Sequence, residues 1–123
     1  MSDTAAPSPT IILAEADADL RQALQYSLEI DGFNVVTCAS GETLLELSLP
    51  PFPACLVVDQ RLPGISGIEA LEILRGRDID LPAIMVAGAP DARLRARLLL
   101  ANASLVEKPL LNDRLAGAIR GLL

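Results

Sequence analysis

The stretch CLVVDQRLPGISG, Cys55–Gly67, decides the fold. An almost unbroken apolar run reaches a single carboxylate, Asp59, and a Pro63–Gly64 turn follows. A strand with no polar alternation has no solvent face, so it belongs in a parallel sheet covered on both sides. Open sheets of that kind hold ligands beyond the carboxyl ends of their strands. An acid placed there is a candidate for chemistry.

The pattern outward from this stretch repeats strand and helix. TIILAE (Thr10–Glu15) is a first buried strand. From Asp17 to Asp31, Leu20, Leu24, Ser27, Leu28 and Ile30 recur at helical steps. Asp17 suits the helix start, where its carboxylate accepts orphan N–H groups, and Gly32 suits the end. FNVVTCA (Phe33–Ala39) is a second strand, Ser40 opens a short helix through Leu47, and PPFP (Pro50–Pro53) is a rigid loop. ACLVVD (Ala54–Asp59) is the third strand, followed by a helix over Ser66–Arg75. LPAIMVAG (Leu81–Gly88) is the fourth, followed by a helix over Asp91–Ala101 that Asn102 can end at positive φ. SLVEK (Ser104–Lys108) is the fifth, and a last helix, capped by Asn112, reaches Leu123. The alternation predicts an α/β fold: a doubly wound, five-stranded parallel sheet of the (βα)5 flavodoxin-like type, order 2-1-3-4-5. One domain spans 11–123, and residues 1–10 form a disordered lead-in poor in residues that bury area.

Composition narrows the function. The chain has 123 residues, no histidine and a net charge of −6, which argues against nucleic acid as a partner. No apolar run reaches the roughly 18–20 residues that span a bilayer, and the N-terminus lacks a signal peptide's basic and apolar regions. No membrane association and a cytoplasmic location are expected. Cys38 closes strand two and Cys55 opens strand three, two strands away in this order, on the order of 9–10 Å. A disulfide needs Cα atoms within about 7 Å, so both are expected to be free thiols.

Glu15, Asp59 and Lys108 end strands one, three and five, and all three ends lie on one edge of the sheet. These residues, with LPGISG after Asp59 and Lys108–Pro109 after strand five, resemble the receiver domain of two-component response regulators (the CheY-like family) over about residues 11–123. The resemblance implies that Asp59 accepts a phosphoryl group from a histidine kinase or phosphotransfer protein, in a signalling domain rather than an enzyme. Lys108 is then the phosphoryl-binding cation. Mg²⁺ is then held by Asp59, the backbone carbonyl of Arg61 and Glu15. The Lys108–Pro109 peptide is then expected to be cis.

Several positions depart from the family. Receivers carry two adjacent acids after strand one, and here the pair is Glu15–Ala16. Alanine cannot ligate, and Asp17 is better aimed at capping, so weak Mg²⁺ binding is expected. The switch positions hold Ala87 in place of a hydroxyl and Leu105 in place of an aromatic ring, so the usual relay has neither member. Arg61 and Ala89 flank the site; the Arg61 cation is placed to shield a phosphoryl or to pair with Glu15.

On helix four, Arg93, Arg95 and Arg97 read as a solvated face. Leu94, Leu98 and Ala101 can face the sheet, which leaves Leu99 and Leu100 outside. With Leu105, Leu110 and Leu111 they would form an apolar patch, and the Arg93–Leu111 face is a candidate homodimer or target contact. Two functions compete: a phosphoacceptor with an atypical metal site and switch, favoured by Asp59, Lys108 and Glu15, and a degenerate receiver binding proteins without phosphorylation, favoured by Ala16, Ala87 and Leu105. A flavin-binding or phosphatase enzyme on this fold is disfavoured, because no Gly/Thr-rich phosphate loop follows strand one and no second acid follows Asp59 at two residues.

Overall fold

A computed structural model describes residues 8–110 and 114–123. Strands and helices alternate: β1 (Thr10–Ala14), α1 (Ala18–Ile30), β2 (Asn34–Cys38), α2 (Gly41–Glu46), β3 (Ala54–Asp59), α3 (Gly67–Gly76), β4 (Ala83–Ala87), α4 (Ala92–Leu100), β5 (Ser104–Glu107) and α5 (Arg114–Leu122). The strands form one parallel sheet in the expected order, β2-β1-β3-β4-β5.

Period-two alternation splits the core into two layers. Ala54, Leu56 and Val58 of β3 pack with Ile68, Leu71, Leu94 and Leu98 on the side of α3 and α4. Cys55 and Val57 pack with Ile11, Leu13, Leu28 and Ile119 on the side of α1 and α5. Every residue of β3 is buried, as a central parallel strand requires. β2, an edge strand, buries only Cys38.

The helix starts follow local chemistry. Asp17, Ser40, Ser66 and Asp91 each accept the backbone N–H three residues on, and Ser66–Glu69 form a reciprocal capping box. Asn102 takes φ +53° after α4, and Gly32 takes φ +98° after α1. The lead-in up to residue 7, Leu111 and the cap expected at Asn112 lie outside the described residues.

Both cysteines are buried and unbonded. Cys38 is level with Ala14 and Cys55 with Ile11 on the two sides of β1, and the two thiols belong to opposite core layers.

Candidate functional site

Alternation carries three polar side chains to one corner. Glu15, Asp59 and Lys108 each stand two residues beyond a member of the α1/α5-side layer: Leu13, Val57 and Val106. The backbone ladder runs one step past the strands and holds the three ends level. The Glu15 N–H donates to the Cys38 carbonyl at 3.0 Å, Gln60 to Val86 at 2.9 Å and Lys108 to Ala87 at 2.9 Å. The Lys108–Pro109 peptide is cis, as the resemblance implied.

Asp59 is 3% exposed. Its Oδ1 accepts the Arg61 N–H at 2.8 Å. Lys108 Nζ stands 2.7 Å from Oδ2, off the hydrogen-bonding directions. Oδ2 therefore has a charge beside it and no hydrogen-bond donor. Because Lys108 keeps a third of its surface in water, we read the contact as a screened ion pair.

Glu15 is buried beside Asp59, and its Oε2 accepts the Asp17 N–H at 3.0 Å. Burial, followed by the neighbouring Asp59 carboxylate, raises its carboxyl from the ordinary value; the Asp17 N–H and the Lys108 charge pull the other way. Asp17 itself caps α1 at Leu20, with a bond of 3.1 Å.

Two clefts open on this corner. One, of about 280 Å³, is walled by Ala87, Gly88, Ala89 and Leu94. The other, of about 480 Å³, is walled by Glu15, Ala16, Asp17 and Leu62. Asp59, Arg61 and Lys108 line both, so they form the partition between them. Ala87 is buried and offers only a methyl group to the first cleft. Leu105 is half-buried and level with Met85, one pleat below Ala87. Arg61 and Glu15 form no ion pair among the described residues, in contrast to one of the two arrangements considered for Arg61.

The glycines of LPGISG bring the loop back under Asp59. The Gly67 N–H donates to the Gln60 carbonyl at 3.0 Å, and a Cβ at Gly67 would collide with the Asp59 carbonyl and reach 2.9 Å from Gln60 Cα. Gly64 takes φ +72°.

Sequence reasoning missed three contributors. Gln60 Oε1 accepts the Ile68 N–H at 2.8 Å and ties the loop to α3. Arg21 Nη1 donates to the Glu15 carbonyl at 2.9 Å and holds the β1–α1 loop. Leu94 faces the sheet, as expected, and also walls the first cleft. Their signals were faint: a residue adjacent to the acid, and a cation four after the Asp17 cap.

A comparable cleft of about 450 Å³ lies at the opposite edge of the sheet, lined by Leu47, Phe52, Ile79 and Leu81. Asp80 is its one charged residue, so it lacks the converging polar groups of the Asp59 corner.

Comparison with known proteins agrees with this geometry. Residues 11–120 match the family described as the response regulator receiver domain. The C4-dicarboxylate transport transcriptional regulatory protein DctD of Pseudomonas aeruginosa is 34% identical over 111 residues, 89% of this chain and 24% of DctD. The transcriptional regulatory protein FixJ of Azorhizobium caulinodans is 32% identical over 116 residues, 94% of this chain and 54% of FixJ. The chain thus spans about a quarter to a half of these relatives' lengths. The solved structure of response regulator StyR superposes with a TM-score of 0.85 at 32% identity, covering 94% of this chain and 59% of StyR. With the match running from β1 into α5, and the acid and lysine at its sheet edge brought together, the chain belongs to the family of response regulator receiver domains.

Proposed function

We propose that Asp59 is the phosphoacceptor of this domain, loaded by a histidine kinase or phosphotransfer protein in two-component signalling. The observation that carries the reading is the buried Asp59 carboxylate with Lys108 Nζ 2.7 Å from Oδ2 at the carboxyl edge of the sheet. In the step itself an Asp59 oxygen forms a bond to phosphorus. The bond from phosphorus to the donor breaks, and its electron pair leaves with the donor, as an imidazole lone pair or a carboxylate. Lys108 offsets the negative charge of the transferring group. The Arg61 N–H on Oδ1 fixes the orientation of the carboxylate, with Oδ2 beside Lys108.

A divalent hard cation takes oxygen donors, and Asp59, Glu15 and the Arg61 carbonyl supply them. Oδ2, buried without a hydrogen-bond donor, suits such an ion. Ala16 adds no oxygen, and no group of three or more metal-ligating side chains gathers among the described residues, so Mg²⁺ binding is weak. When bound, Mg²⁺ supplies charge neutralisation at the phosphoryl oxygens.

Output does not run through a hydroxyl–aromatic relay, because Ala87 and Leu105 supply neither group. A partner or second copy is received on the Arg93–Leu111 face. There Leu99 and Leu100 are 80% and 90% exposed, while Leu94 and Leu98 are buried. Arg97 is held by Glu72 with an Nε–Oε2 bond of 2.9 Å, and Arg95 lies 3.5 Å from Glu107, so the arginines are not all free charges. No helix is long and apolar enough to cross a membrane among the described residues, and a cytoplasmic setting fits a kinase-loaded domain.

The second reading, a degenerate receiver that binds partners without phosphorylation, is favoured by Ala16, Ala87 and Leu105. Intact mass after incubation with acetyl phosphate and Mg²⁺ separates the two. One added phosphoryl in the native chain and none in Asp59→Asn supports the phosphoacceptor. No addition, even at high Mg²⁺, supports the degenerate module.

A further inference from the structure

We infer that Arg61 is a second phosphoryl-binding cation, which with Lys108 lets Asp59 be loaded with little dependence on a divalent metal. This rests on the phosphoacceptor reading and asks what neutralises the phosphoryl when Ala16 has removed one metal ligand.

The charges at the corner decide it. Glu15, Asp17 and Asp59 bring three carboxylates, and Lys108 and Arg61 bring two cations. The partition itself, Asp59 with Lys108 and Arg61, thus holds one carboxylate and two cations, whereas Glu15 and Asp17 line only the second cleft. An incoming phosphoryl adds negative charge beside two cations already in place. Lys108 already stands beside Oδ2. Arg61 forms no ion pair among the described residues, and it bonds the site through its backbone N–H. Its side chain is exposed, and the residue lines both clefts together with Asp59 and Lys108. A guanidinium presents a planar fork of donors to phosphate oxygens, which an ammonium cannot do.

The first cleft gives that group room. Ala87, Gly88 and Ala89 form its wall with two methyl groups and no side-chain donor. No hydroxyl and no cation enters from β4, so Arg61 has no competitor for the oxygens facing that side. The phosphoryl is therefore held between Lys108 and Arg61, with the bonds made and broken as described above and no further reactant.

The test compares native protein, Arg61→Ala and Arg61→Lys, each in Mg²⁺ and in EDTA. Loading by acetyl phosphate is read by intact mass, and inorganic phosphate binding by metal-free protein is read by amide NMR shifts at Gly88 and Ala89. The expected result is native loading that persists in EDTA. Arg61→Ala should then lose about tenfold in EDTA but under about threefold in Mg²⁺, and bind phosphate about tenfold more weakly; Arg61→Lys should fall between. Native loading in Mg²⁺ that vanishes in EDTA, or an Arg61→Ala variant that matches native protein in EDTA and in phosphate affinity, overturns the role of Arg61 and leaves Asp59 as acceptor. No loading under any condition removes the phosphoacceptor reading, and this role with it.

Discussion

Lys108 Nζ reaches across the end of β4 to stand 2.7 Å from Asp59 Oδ2, joining β5 to β3. Asp59 is almost fully buried and Glu15 adds a second buried carboxylate beside it, so Lys108 is the compensating charge. Lys108→Met therefore leaves two buried carboxylates facing each other. We expect a loss of about 1–2 kcal/mol, reduced from a fully buried pair because the ammonium is partly solvated. Asp59→Asn removes one of the like charges and should unfold at the same or a higher temperature than native protein. Thermal unfolding of the two variants at neutral pH checks both signs; a destabilised Asp59→Asn with an unaffected Lys108→Met would contradict the arrangement.

Gly67 sits where the loop after β3 returns beneath Asp59. Gly67→Ala places a methyl group against the Asp59 carbonyl and Gln60 Cα, backbone atoms that have no room to yield. A loss of about 2–3 kcal/mol is expected, together with slower loading of Asp59 because the carboxylate is displaced. Urea denaturation measures the first and intact mass the second.

Ala16 faces the acidic cleft without an oxygen. Ala16→Asp adds a carboxylate beside Glu15 and Asp59 and should tighten Mg²⁺ binding by about tenfold. Calorimetric titration with Mg²⁺ tests this, and an unchanged affinity would show that residue 16 is not what limits the metal.

The thiols give a pH test away from the site. Burial pushes Cys38 up to about 11 and Cys55 up to about 12. Both should resist alkylation in the native state at pH 8 and react on unfolding. Cys55 is the clearer linkage case, because its folded value is raised further above the unfolded one than that of Cys38. The folded chain then keeps a proton that the unfolded chain releases, so its contribution is intact below about 9 and falls as pH rises toward 12. Cys55→Ala should flatten that part of the stability curve in denaturant titrations.

Much of this corner is written in local chemistry. The unbroken run of β3 can be placed to the residue because both of its faces are buried, and the caps at Asp17, Ser40, Ser66 and Asp91 each bond three residues along the chain. Alternation alone puts Glu15, Asp59 and Lys108 on one side of the sheet once the strand order is known. β4 begins at Ala83, later than its apolar run suggests, because Pro82 has no N–H to give the ladder. Arg21 and Gln60 stay hidden for a different reason. Their partners are a backbone carbonyl and a backbone N–H brought near by turns, and no residue type at those positions announces them. Arg61 is legible as a cation near the acid, but only the two clefts show that the residue borders both.

The most direct measurement locates the phosphoryl group itself. Treat the protein with acetyl phosphate, reduce any acyl phosphate with borohydride, and sequence the peptides by tandem mass spectrometry. Homoserine at residue 59, formed only after donor treatment and far less in Lys108→Met, is the predicted result. No homoserine at all, or hydroxynorvaline at residue 15 in its place, would contradict the account.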